Sequence, residues 1–422
     1  MNRRKFVAGI GSLGALATMK TFPALAGSLA KAKKILLVSG WQDVNIGDIT
    51  HTPGLLNVLQ TFLPKTHVTL WKRSRGEEVK QMLNKNFPKV KIIYGDVDET
   101  LNVNNPEVTQ AFQDHDFMIH GSGPSIVGQV NLEAWVKATG KHFGVFGTTI
   151  QNINPKLKSL LEQASFIYTR ETASIKVLKE NGIAGDDIGF APDATFYFDS
   201  KDEAKATAFL KQNSLEHGKF ICAIPRLRYT PYYKWAPHAG WTEQRINEVN
   251  EVNEKNKEPD HAKMREAMIT WVRETKNKVL ICPEMTYQVE IMDELLIDPL
   301  PEDVKPFVIK RGYWLPDEAA SVYARAFSVL SFECHSPIIA SANGTPFFYL
   351  RQPEDTIKGQ MYYDLGLSDW VFEIEQSTAK QVADRLMDHW RNPDAVKAKL
   401  GEAMQQVTGL YKTATQQVLK AV

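Results

Sequence analysis

Cysteine is nearly missing from this chain: Cys222, Cys282 and Cys334 are all that its 422 residues contain. So few, so scattered, exclude a disulfide framework, and an odd number leaves at least one thiol free. Cys222 and Cys282 lie in runs that read as buried strands, where apolar packing is their expected use. An excess of charge of one sign is missing too. The 50 Lys and Arg against 49 Asp and Glu leave a net charge of +1, without the basic surplus that neutralises a run of phosphates, so no nucleic-acid partner is expected. Beyond the N-terminus no stretch stays apolar for the roughly 18 residues a membrane span needs, and the mature chain is expected to carry none.

What is present begins with Arg3-Arg4 just ahead of Phe6-Val7, a mildly apolar Gly/Ala-rich run to Met19, then Lys20 and the small residues of Ala24-Leu25-Ala26. Residues 1–26 read as a cleaved twin-arginine-type signal, which predicts a periplasmic or secreted protein and is set aside from the fold.

From Lys33 on, short β-branched runs alternate with amphipathic stretches, the pattern of parallel strands joined by crossover helices. Strands are predicted at Lys34–Ser39, His67–Trp71, Val90–Tyr94, Phe117–His120, Phe143–Phe146 and Phe166–Thr169. A second series runs Phe220–Ile224, Val279–Ile281, Phe307–Ile309, Val329–Phe332, Phe347–Leu350 and Val371–Ile374. The chain is long enough for two cores, and the repeat predicts two Rossmann-like doubly wound α/β domains, 33–200 and 215–392, facing a cleft. Ligands of such folds sit beyond the carboxyl ends of the strands. Between 229 and 262 the rhythm fails, giving a polar insertion dotted with aromatics. Tyr232, Tyr233 and Trp235 there either stack on sugar faces or pin the loop to the body.

Several loops after strands carry chemistry-bearing residues. The first runs from Gly40 through Gly47 and Asp48 to Gly54, with a helix predicted from Leu55; Asp48 reads equally as that helix's cap. The fourth strand ends in His120-Gly121-Ser122-Gly123. Arg170-Glu171 precedes a helix with Ser174, and Pro192-Asp193 leads to Phe196, with Asp193 open to reading as a brace between lobes. Arg226 and Arg228 follow the first strand of the second series, Glu284 another. Then come Glu333, His335, a small-residue helix ending Gly344-Thr345-Pro346, and Lys358. Asp48, His51, His120, Glu333 and His335 could converge on a metal, but no pair among them has recognised ligand spacing and most such histidines are structural, so no metal and no cofactor is expected.

This ordered set, from about Asn45 to Leu367, resembles the polysaccharide pyruvyl transferase family. The resemblance implies two lobes of the glycosyltransferase-B type, with the C-terminal helix 393–422 crossing back to the first. It also implies transfer of a pyruvyl group from phosphoenolpyruvate onto two hydroxyls of one sugar, making a ketal. His335 would be the acid/base. Arg170, Arg226, Arg228 and Lys358, with His120, would hold the anionic donor, and Asp48 and Asp193 would position the acceptor. Two features set this chain apart. Glu333 stands where the family usually has arginine, and a carboxylate repels a phosphate. An exported enzyme would also be separated from phosphoenolpyruvate, a cytoplasmic metabolite. Two other readings therefore stay open: a periplasmic hydrolase or lyase of an anionic poly- or oligosaccharide using Glu333, His335 and Glu284 as acid and base groups, and a glycan-binding protein without chemistry.

Overall fold

The computed structural model describes residues 32–234 and 240–422. The expected signal, residues 1–26, and Trp235 lie outside the described residues. The β-branched runs form two parallel sheets. The first holds β1 (Lys34–Ser39), β2 (His67–Lys72), β3 (Lys91–Ile93), β4 (Phe117–His120), β5 (Phe143–Thr148), β6 (Ile167–Thr169) and β7 (Ile188–Phe190) in the order β3-β2-β1-β4-β5-β6-β7. The second holds β8 (Phe220–Ile224), β9 (Lys278–Ile281), β10 (Val308–Lys310), β11 (Ser328–Ser331), β12 (Phe347–Arg351) and β13 (Val371–Glu373) in the order β10-β9-β8-β11-β12-β13. Each sheet reverses its strand order beside its own first strand, between β1 and β4 and between β8 and β11. These are the switch points where such folds open a crevice.

Three expectations are corrected. The edge strand β7 was not foreseen: it is three residues long and centred on Gly189, whose missing side chain leaves room for the Tyr168 ring. The first helix starts at Ile46, not Leu55. Asn45 caps it by accepting from the Gly47 and Asp48 N–H groups at 2.7 and 3.3 Å, and Pro53-Gly54 lies inside it instead of ahead of it. The polar insertion, finally, is largely a 33-residue helix, Glu243–Thr275. It buries Met264, Met268 and Trp271 on the core side and turns Asn253, Asp260 and His261 inward as well.

The last helix, Pro393–Ala421, buries a stripe of Val396, Leu400, Ala403, Val407, Tyr411, Ala414 and Val418 at steps of three or four residues. Burial of each larger apolar side chain stabilises by roughly 1.5–3 kcal/mol. This stripe packs on the Ile46–Phe62 helix and β7 of the first sheet, and Tyr411 donates its hydroxyl to the Asp193 carbonyl at 2.6 Å. The two sheets belong to one compact unit, Lys33–Val422. Their loops meet directly: Ile46 N–H donates to the Glu284 carbonyl at 2.9 Å, and Thr286 N–H to the Val44 carbonyl at 3.0 Å. No helix among the described residues is long and apolar enough to cross a membrane.

Candidate active site

Where the lobes meet, side chains from separate elements converge. His51 projects from the helix after β1, Asp193 follows β7, and His335 opens the helix His335–Ala342 after β11. His51 Nε2 stands 3.1 Å from His335 Nε2 and 3.2 Å from Asp193 Oδ2, and the two imidazoles meet edge to face. Glycines make this approach possible. A Cβ on Gly47 would sit 2.3 Å from His335 Nδ1, and one on Gly54 would sit 2.1 Å from the Ala194 carbonyl oxygen.

Each member is held by partners of its own. Asp193 Oδ1 accepts the Thr195 N–H at 3.0 Å, while Oδ2 accepts from Arg170 Nη1 at 2.7 Å. Arg170 is fixed in turn by donating Nε to Thr149 at 2.7 Å. Glu284, after β9, accepts from the Ser336 N–H and hydroxyl at 2.6 and 2.8 Å through one oxygen and lies 3.2 Å from His335 Nδ1 through the other. Burial opposes charge on Asp193, but His51, His335 and Arg170 outweigh it and hold the carboxyl well below its usual range. Burial likewise opposes the His335 imidazolium. Cys334 and the Asp193 and Glu284 carboxylates prevail, so its pKa lies well above that of an ordinary histidine.

A second cluster lies on the side of the second lobe. Arg226, after β8, donates Nη1 to Asp355 and to Gln352 at 3.2 Å, with Glu333 3.4 Å from its Nε. Lys358 stands 3.2 Å from Asp355, and Tyr349 donates to the other Asp355 oxygen at 2.7 Å. Burial, opposed by Arg226, raises the Glu333 pKa to about 7. Gln288 ties the two clusters together. Its amide donates to Glu333 at 2.7 Å while its oxygen accepts the Glu284 N–H at 2.7 Å.

The structure thus gathers His335, Glu284, Asp193 and Arg170 at one centre and Glu333, Arg226 and Lys358 beside it. It departs from the expected donor site in one respect: every one of the four cations proposed for an anion already faces carboxylates. Arg228 is spent on Asp260 at 2.9 and 3.1 Å and on Glu375 at 2.7 Å. His120 does not reach the centre. It is fully buried, accepts the Gly128 N–H at 3.0 Å, stacks on Trp41, and is driven to a pKa of about 3 by burial, so it is neutral and cannot act as an anion-binding cation. Asp48 lies in the first turn of its helix, accepting from Gln42, with His51 Nδ1 3.9 Å away. Tyr233 is pinned by donating to Asn250 at 2.7 Å and by its contact with Trp241. Tyr232 is 38% exposed, and burial and the neighbouring Asp48 raise its phenol pKa. Sequence reasoning passed over Gln288, Gln352 and Asp355 altogether and singled out His51 only as one of five scattered polar residues. Asp260 sat unremarked in the charged insertion.

Comparison with known proteins fixes the class. The sequence model of the polysaccharide pyruvyl transferase family matches residues 76–352. The chain belongs to that family, a family of glycan-modifying transferases. No curated protein matches it. Among solved structures it is similar to the UDP-GlcNAc 2-epimerase of Neisseria meningitidis bound to UDP-GlcNAc, at 12% identity and TM-score 0.56, over 92% of this chain and 100% of the other. It is also similar to a glycosyltransferase from Rickettsia africae (12%, TM-score 0.54, 92% and 98%) and to ADP-heptose LPS heptosyltransferase II of E. coli (12%, 0.50, 86% and 99%). These likenesses are of fold: two Rossmann-like domains of the glycosyltransferase-B type.

Proposed function

We propose that this protein is an exported enzyme that places a pyruvyl ketal on the hydroxyls of a poly- or oligosaccharide, with the His51–Asp193–His335 cluster as its reaction centre. The observation that carries this reading is the meeting of two imidazoles and a carboxylate, contributed by both lobes at the ends of parallel strands, in a chain of the pyruvyl transferase family. In the reaction, one sugar hydroxyl adds to the enol carbon of the donor while its proton passes to the methylene carbon. A second hydroxyl of the same sugar then displaces phosphate. Both steps need a hydroxyl made more acidic, and the cluster is the group in the site suited to that work. Glu284 orients His335 through Nδ1, as a second carboxylate orients a catalytic imidazole elsewhere. Tyr232, exposed beside Asp48, offers the acceptor sugar a flat face. Export to the periplasm or beyond rests on Arg3-Arg4 and the Ala24-Leu25-Ala26 cleavage site.

One observation favours a second reading on the same centre, the removal or cleavage of an anionic group by hydrolysis or lysis. Arg170, Arg226, Arg228 and Lys358 are each paired with carboxylates, so none of these four stands open to a free phosphate donor. Mass spectrometry separates the two. The protein is incubated with plain and pyruvylated oligosaccharides, with and without phosphoenolpyruvate. A pyruvyl mass gain that requires the donor is the result expected for transfer. Mass loss or chain cleavage without donor establishes the second reading, and no change to any glycan removes both.

A further inference from the structure

The triangle of polar atoms at the lobe junction has the dimensions of a metal site. The His51 and His335 Nε2 atoms are 3.1 Å apart, and Asp193 Oδ2 lies 3.2 Å from the first and 3.7 Å from the second. Three ligands on a tetrahedral zinc, with bonds of about 2.0–2.1 Å, stand about 3.3–3.4 Å from one another. The observed separations bracket that edge. The three side chains are buried and come from segments far apart in the chain, so no local turn forces them together.

Tautomer and lone-pair bookkeeping agrees. Two imidazole nitrogens do not face each other at this distance unless a proton or another cation lies between them. His335 Nδ1 faces a carboxylate oxygen of Glu284, which accepts, so that nitrogen keeps its proton; a cation taken up at the centre would displace the proton on Nε2 and take its lone pair. Carboxylate-backed histidines are the usual arrangement behind a metal. Asp193 spends Oδ1 on Thr195, and Oδ2, beyond its bond to Arg170, keeps a second lone pair on the histidine side. His51 Nδ1 is buried without a hydrogen bond among the described residues, with an Asp48 carboxylate oxygen 3.9 Å away.

We infer that His51, Asp193 and His335 form a binding site for one divalent transition-metal cation of the zinc class. Two imidazoles and a carboxylate favour that class over magnesium or calcium, which take oxygen ligands. The inference deepens the proposed function and rests on its choice of reaction centre: a cation held there would acidify a hydroxyl or water bound to it.

The test uses the full chain. After equilibration with zinc chloride and removal of loose metal, elemental mass spectrometry is expected to find one zinc per chain, and cobalt(II) titration should give the visible absorption of a tetrahedral site. His51→Ala and His335→Gln should each weaken zinc binding at least tenfold, with circular dichroism unchanged. Two variants on different elements keep the test open if one misfolds. A parent that binds zinc no more tightly than a folded variant overturns the inference in favour of a proton shared between the histidines. Glycan turnover is followed in parallel. A parent that takes up no zinc yet turns over glycan, with that turnover lost in His51→Ala, sinks the cation and leaves the reaction centre. Zinc binding lost in His51→Ala with turnover unchanged upholds the cation and sinks the reaction centre.

Discussion

Two polar clusters lie side by side beneath the lobe junction, bridged by Gln288, and they are built on opposite principles. Around Arg226 each cation is matched by a carboxylate: Asp355 takes both Arg226 and Lys358, and Asp260 takes Arg228. Around His335 the basic nitrogens and the Asp193 oxygen point at one another. A saturated network of buried charges is rigid and costly to break, and its groups are already in use. A cluster whose lone pairs share one focus is able to take up a proton, a cation or a substrate hydroxyl. The first is read as scaffold and the second as chemistry.

The comparison breaks most visibly on the scaffold side. Asp355→Asn leaves Arg226 and Lys358 without their shared partner, and removing one member of a buried pair costs about 3–5 kcal/mol. Urea unfolding should show that loss; a change within error would mean the network is dispensable.

Another buried histidine of the second lobe sharpens the contrast. His261 Nε2 accepts the Arg226 N–H at 3.3 Å, and its Nδ1 lies 2.6 Å from the Lys257 carbonyl, so the neutral ring uses both nitrogens. Burial lowers its pKa to about 4, with Asp260, Arg265 and Glu258 around it. The unfolded chain takes up this proton near pH 6.5 and the folded one only near 4. Its stabilising effect is therefore complete above pH 6.5 and lost as pH falls toward 4, by roughly 3 kcal/mol in all. The stability gap between parent and His261→Gln should narrow over that window in pH-dependent melts. A gap that stays constant would mean the ring charges freely inside the fold.

On the chemistry side, Glu284→Gln removes the carboxylate that orients His335 and should lower turnover about 10–100-fold with little change in melting temperature, as loss of an orienting partner does. Full turnover would make Glu284 a mere brace for Ser336. The smallest effect expected is at the border between the clusters. Glu333→Gln takes a carboxylate from Arg226 and should tighten phosphoenolpyruvate binding by roughly tenfold in calorimetry. No gain would show that Asp355 alone keeps Arg226 closed to anions.

Much of the architecture could be read from the chain because parallel strands buried on both faces leave continuous β-branched runs such as Lys34–Ser39 and Phe220–Ile224. Elements without that signature escaped. β7 has three residues and a central glycine, and the Glu243–Thr275 helix hides its buried Met264, Met268 and Trp271 among charges and the break suggested by Pro259. Pro53-Gly54 read as a helix start because both residues usually punctuate helices. Single candidate residues were legible from their places just after strands, which is how Arg170, Asp193, Glu284 and His335 were singled out. Their pairing was not. Which carboxylate answers which arginine, as Asp355 answers Arg226 across 129 residues of chain, depends on how the lobes fold and meet. His51 was undervalued for the same reason, since its partners lie 142 and 284 residues away, at Asp193 and His335.

The most direct test is the turnover of His51→Ala beside that of the parent on the glycan that gains a pyruvyl group, with melting temperatures measured on the same samples. Loss of the mass gain by about 100-fold or more, in a variant that still folds, is the result this account predicts for a member of the reaction centre. A folded His51→Ala that works at the parent's rate would contradict it and move the chemistry elsewhere in the junction.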